Sequence, residues 1–208
     1  YKDVEKRSIV ISIGVDRVKD DIEFSGEIAK LISKTSEKKE KAEPTDVYTD
    51  LSYGKTFEEA RVDFNSRRPY PTFLGATRVC VFGTKLAEES LEPYINRINK
   101  MYDYRKTLLA IISREPPAKI FDLDVEKDIS VGFLIENNIN FLSQTGLALY
   151  PTIGKILSIT SLGDVGYVLP YVGIEQESIK YLGMAVLKDS KLQGTIKVED
   201  TKGLLYIK

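Results

Sequence analysis

The chain contains no histidine and a single cysteine. Without an imidazole base, Ser-His-Asp and Cys-His nucleophilic catalysis cannot be assembled from it. Zinc sites draw mainly on cysteine and histidine, and the chain lacks that supply as well. One cysteine also excludes a disulfide within the chain. Cys80 stands between Val79 and Val81 in an apolar run and reads as a small buried core residue. Charge of one sign is not in excess either: 30 Lys and Arg oppose 31 Asp and Glu, a net charge of -1. A near-neutral chain has no bulk attraction to nucleic acid or anionic lipid, so no nucleic-acid partner is expected.

Long apolar runs are missing. The longest spans Leu108 to Ile112, whereas a membrane-spanning helix needs about 20 apolar residues. The start at Tyr1 reads as a processed or trimmed terminus, with no signal peptide. No phosphate-binding Gly-x-x-x-x-Gly-Lys-Ser/Thr or Gly-x-Gly-x-x-Gly loop occurs, and no Gly-x-Ser-x-Gly elbow. No cofactor is implied.

What the chain does have is the composition of a water-soluble globular protein, 42% hydrophobic and 29% charged over 208 residues. That length allows one large domain or two small ones. Ile9, Ile11, Ile13 and Val15 alternate as a strand, Asp16 to Asp21 fits a polar connection, and Ile22, Phe24, Gly26 and Ile28 return as the second arm of a hairpin. Ser33 to Pro44 is charged without an apolar stripe and reads as an exposed loop. Val47, Thr49, Leu51 and Tyr53 give a third strand. Thr56 and Glu59 have the capping-box spacing, opening a helix that buries Phe57, Ala60 and Phe64.

Val79–Phe82 and Leu108–Ile112 are apolar on both faces, as internal strands are. Between them, Pro93 opens a helix with Leu91, Tyr94, Ile95, Ile98, Met101 and Tyr102 on one side. Glu115-Pro116-Pro117 reads as a boundary between a domain over residues 1–113 and another over 114–208. Beyond it, Asp128 to Leu142 carries a helical stripe and Pro151 opens a further helix. Tyr167 to Val172 reads as a strand, with Pro170 favouring a sheet edge. Leu182, Met184 and Val186 pair with Leu192, Gly194, Ile196 and Val198 in a second hairpin. The expected fold class is α+β: mixed or antiparallel sheets with packed helices, in two lobes.

Two constellations carry chemistry. Asp122, Asp124, Glu126 and Asp128 alternate as in a calcium loop, but Lys127 and Phe133 stand where an EF-hand needs Gly and Glu. A solvated loop whose acids favour the next helix N-terminus explains them without a metal, and no metal ligand is assigned. Tyr102, Tyr104, Arg97 and Arg105 gather around one helix, and Arg67-Arg68 is an adjacent arginine pair. Tyr and Arg are enriched at binding hot spots, so these six residues are the candidate partner contacts. The competing reading packs the rings on the sheet and leaves the arginines in a solvated loop.

Three segments carry a resemblance to a known family. Asp3 to Asp16 (Asp-Val-Glu-Lys-Arg-Ser-Ile-Val-Ile-Ser-Ile-Gly-Val-Asp), Gly75 to Ala87 with Arg97 and Tyr104-Arg105, and Tyr181 to Lys188 running into Lys191-Leu192-Gln193-Gly194 resemble the Ger(x)C lipoproteins. These are the C subunits of bacterial spore germinant receptors. The family's last motif has phenylalanine where this chain has Leu187, and its anchoring cysteine is absent here. The resemblance implies a fragment of a non-catalytic lipoprotein, held outward-facing on the spore inner membrane by an N-terminal lipid. Its partners would be the A and B membrane subunits, and a further C-terminal domain would follow. Two rival functions stay open: a small-molecule domain that senses the germinant, and a carboxylate-dependent hydrolase.

Overall fold

The computed structural model describes residues 7–29, 47–101, 103–125, 130–163 and 165–204. The expected charged loop, Tyr102, residues 126–128 of the acidic run and residues 3–6 of the first family segment lie outside them.

The first hairpin pairs β1 (Ser8–Val18) with β2 (Asp21–Ala29), and β3 (Val47–Gly54) adds to β2, all antiparallel. The polar connection expected at Asp16 to Asp21 shrinks to Lys19 and Asp20, because β1 runs through Val18. Asp16 and Arg17 stay in the strand because tertiary partners meet them: Asp16 lies at the start of a helix and Arg17 pairs with Glu89 at 2.9 Å. Helix α1 (Phe57–Ser66) begins where expected. Thr56 Oγ1 accepts from Glu59 N at 3.2 Å, while Glu59 Oε2 accepts from Lys55 N at 2.7 Å rather than from the Thr56 N–H. Ala60 and Phe64 are buried, and Phe57 packs half-buried on the core.

A short strand β4 (Thr72–Phe73) pairs with the start of β1. Then β5 (Val79–Gly83), α2 (Thr84–Glu89), α3 (Glu92–Lys100) and β6 (Leu109–Ser113) follow. Both strands are buried at every position. They are central because they have no polar face to offer water. After α4 (Pro117–Phe121), α5 (Val131–Gln144) and α6 (Ile153–Thr160), the chain returns as β7 (Gly166–Glu175), β8 (Ser178–Lys188), β9 (Lys191–Lys197) and α7 (Val198–Leu204).

All strands join one nine-stranded mixed sheet, in the order β3-β2-β1-β5-β6-β7-β8-β9 with β4 beside β1. Strands β1, β5, β6 and β7 run parallel in its middle, and antiparallel strands flank them on both sides. The α+β expectation holds, as helices packed on both faces of a mixed sheet. The two expected lobes share that sheet, and the segment read as a boundary is stitched into it. Arg114 N donates to Val172 O at 2.9 Å, and Ile174 N donates to Glu115 Oε2 at 3.0 Å. Pro170 sits inside the sheet rather than at an edge. Pairing with β6 begins only at Tyr171, so the imino nitrogen interrupts no ladder on that side.

The sheet separates two cores. Phe24, Phe64, Phe82, Tyr94, Ile112 and Leu169 belong to one, under α1, α2, α3 and α6; Val81, Ile111, Phe121, Ile135 and Ile139 belong to the other, under α4 and α5. Cys80 is fully buried in the first, and burial pushes its thiol pKa well up, as expected of a core residue.

Candidate functional site

The most unusual chemistry lies on the inward face of the β1–β2 hairpin. Its rungs are polar: Ser12 opposite Glu27, Gly14 opposite Ser25, and Asp16 opposite Glu23. All five polar side chains belong to buried residues. Glu27 is 1% exposed and anchors α5: Oε2 accepts from Val131 N at 2.8 Å, Oε1 from Gly132 N at 2.7 Å, and Ser12 Oγ donates to Oε1 at 2.6 Å. A carboxylate at a helix N-terminus satisfies N–H groups that the helix cannot bond itself. Ser130 completes the cap by accepting from Phe133 N at 3.1 Å. Desolvation dominates these bonds and holds the Glu27 pKa above its ordinary value.

Asp16 does the same at α2. Its Oδ1 accepts from Leu86 N at 3.2 Å and from Arg17 N at 2.8 Å. Burial, with a smaller contribution from facing Glu23, raises its pKa. Glu23 in turn accepts from Tyr53 Oη at 2.8 Å. Glycines make room for these groups: a side chain at Gly83 would collide with the Asp16 carboxylate, and one at Gly132 with Ser12 Oγ. The facing pair Asp16 and Glu23 therefore forms structural anchors, and neither lines the two grooves described below.

The candidate contacts from sequence do not form one patch. Arg67 bridges Asp63 at 2.7 Å and Leu51 O at 3.0 Å on the surface of α1 and β3. Arg68, read as half of a solvated pair, has a side chain only 2% exposed. Its guanidinium stacks 3.5 Å from the Phe64 ring centroid and pairs with Asp50 at 2.7 Å, so it is a core-facing residue. Arg97 reaches from α3 to Glu58 of α1, which Arg61 also holds at 2.5 Å. Those two guanidiniums, Arg61 first, lower the Glu58 pKa to about 2. Tyr104 is 7% exposed, and its hydroxyl lies 3.4 Å from that of buried Tyr94, so neither ring is presented to a partner. Arg105 is exposed. Arg97 is thus brought near Tyr104, whereas Arg67 and Arg68 sit at the other end of α1.

Sequence reading passed over Glu27, Asp16 and Ser12. The available signal was the alternation of Ser12 and Asp16, and of Glu23, Ser25 and Glu27, with the apolar residues of the two strands. Among the described residues no cluster of three or more metal-ligating side chains occurs. Among the described residues, two surface grooves stand out. One, about 330 Å³, lies between α3, α6 and the β8–β9 turn and is lined by Glu92, Asn96, Asn99, Thr160 and Asp189 among others. The second, about 240 Å³, lies between α5, the residues after α4 and the β7–β8 turn.

No curated protein matches this chain. A solved structure, described as the crystal structure of the GerBC protein, is 19% identical and matches with a TM-score of 0.41 over 94% of this chain and 54% of that one. The chain therefore spans about half the length of that relative. The family model described as the spore germination protein N-terminal domain matches residues 1–174, and the chain belongs to that family, the Ger(x)C germinant-receptor C subunits.

Proposed function

We propose that the parent protein is the C subunit of a spore nutrient receptor and acts in germination by assembling with the A and B membrane subunits rather than by catalysis. Family membership over residues 1–174 carries this reading. The chemistry of the hairpin supports it. Asp16 and Glu27 accept from helix N-termini and Glu23 from Tyr53, so the buried carboxylates of the hairpin serve the fold. The sheet and its two cores make a rigid frame whose loops and helix faces dock neighbouring subunits. The described residues contain no helix long and apolar enough to cross a membrane. A lipid at the N-terminus of the parent protein would hold such a domain on the outer face of the spore inner membrane. The test is affinity isolation of the full-length lipidated protein from spore membranes, with and without this region. Co-isolation of the A and B subunits that depends on the region supports the proposal, and co-isolation that survives its deletion contradicts it.

The groove beside α3 and α6 favours a second reading, a domain that senses the germinant directly. Its volume of about 330 Å³ is at the lower end of ligand pockets, and amide, hydroxyl and carboxylate groups converge there. Calorimetry of the chain against amino acids and sugars tests it. Saturable heat abolished by Asn99→Leu supports sensing, and no heat with any of them removes it.

A further inference from the structure

The turn between β7 and β8 is made by Gln176 and Glu177, with φ of 51° and 60°. Two-residue turns of this hand are least strained with Asn or Gly, because a Cβ crowds the left-handed backbone. The chain instead keeps two long polar side chains there. Behind Glu177 lies the smaller groove, about 240 Å³, with Leu123, Val125, Leu134 and Ile179 as apolar walls and Asp124 and Glu177 on its rim. Neither carboxylate is ion-paired among the described residues.

From the groove wall at Leu134, α5 runs on with a second exposed apolar side chain. Leu134 is 37% exposed and Phe141 62% exposed. Seven residues apart, they share a helix face with a separation of about 10 Å. The positions between them on that side are Asn137 and Asn138, which carry no charge. A solvent-facing helix surface ordinarily carries charges. The only charge on α5 is Glu136, which pairs elsewhere with Arg78 and Tyr150. The result is an uncharged face with two apolar side chains, ending in an acidic rim. Anionic lipid would be repelled by that rim, and a small molecule in the groove would leave Phe141 unused.

We infer that this face docks a basic amphipathic helix of a partner protein. One apolar residue of that helix enters the groove against Leu134 and Ile179. A second, seven residues on, covers Phe141. A Lys or Arg beside the first meets Asp124 and Glu177. The inference rests on the proposal that the protein works through protein assembly, and it assigns the surface.

The test titrates the isotope-labelled 208-residue chain with a short helical peptide carrying leucines seven residues apart and lysines beside the first. A matched peptide has glutamates in place of the lysines. Saturable shifts of the Leu134, Phe141 and Ile179 amides, about tenfold tighter for the basic peptide, are expected. Glu177→Lys, which leaves Asp124 facing a lysine, should erase that preference without lowering the melting temperature, and Leu134→Asp should abolish binding. No saturable shift at these amides overturns the inference, as does equal response to both peptides. Tighter response to anionic lipid vesicles also overturns it, in favour of a membrane. Spores separate the two proposals. Normal germination with Glu177→Lys in the full-length protein, where deletion of the region blocks germination, removes the docking surface and leaves the functional reading. Normal germination with the deletion removes both.

Discussion

Glu27, near the end of β2, closes the N-terminus of α5 by accepting from Val131 N at 2.8 Å, across 104 residues of sequence. It ties the hairpin to the helix that covers the second core. Glu27→Ala removes two acceptors for helix N–H groups and leaves Ser12 without its partner. The expected loss is about 2–3 kcal/mol of stability, from orphaned buried donors. Urea unfolding of the variant and the parent chain measures it, and a loss below about 0.5 kcal/mol, typical of surface substitutions, would contradict the anchoring role.

The carboxylates give opposite pH signatures. Burial raises the folded-state pKa of Glu27 above 4.5 and that of Asp16 above 3.8. The folded chain therefore binds more protons than the unfolded one between those values and the raised ones. Their contribution is fully present below the unfolded pKa and declines as pH rises through the folded one. Glu58 is lowered from 4.5 to about 2, so its contribution is present above 4.5 and is lost as pH falls toward 2. A urea series from pH 2 to 7 should show Glu58→Gln less stable than the parent at pH 7 and equal to it near pH 2. Glu58 is exposed, so the difference should stay below about 1 kcal/mol. A gap that widens on acidification would reverse the sign and refute the assignment.

Gly132 tests packing on the hairpin face, and Gly194 in β9 serves as its control. A Cβ at Gly132 would collide with Ser12 Oγ, whereas one at Gly194 meets nothing within 4 Å. Gly132→Ala should cost about 1–3 kcal/mol through overpacking, and Gly194→Ala should change stability by no more than about 0.5 kcal/mol. Thermal unfolding of the pair decides this, and equal effects would mean that the close approach of α5 to β1 is not rigid.

The arginine pair should divide in the same way. Arg68 stacks on Phe64 and pairs with Asp50 behind a 2% exposed side chain, while Arg67 makes a surface ion pair. Arg68→Ala is expected to cost about 2 kcal/mol through lost packing and an unpaired carboxylate, and Arg67→Ala about 0.5 kcal/mol or less. Chemical denaturation reads both, and the reverse order would return Arg68 to the surface.

Much of this fold is legible in local pattern. Val79–Phe82 and Leu108–Ile112 announce central strands because apolar residues fill both faces. Thr56 with Glu59 and Pro93 mark helix starts through short-range chemistry. The misses have one cause: a partner distant in sequence. Asp16 looks like a turn residue until Leu86 N is placed beside it. Arg68 looks solvated until Phe64 and Asp50 enclose it. Glu115-Pro116-Pro117 looks like a linker because its contact with Ile174 is made through the sheet. Of the candidate contacts, Arg67, Arg97 and Arg105 remain at the surface, while Tyr104 turned inward because its ring completes the core beside Tyr94.

Nutrient-triggered germination is the most direct measurement. Spores would carry the full-length protein, or the same protein lacking the region equivalent to residues 1–208, at matched levels in the inner membrane. Loss of the nutrient response with the deletion, while nutrient-independent germination persists, is the result the account predicts. An unchanged nutrient response from the truncated protein would contradict it.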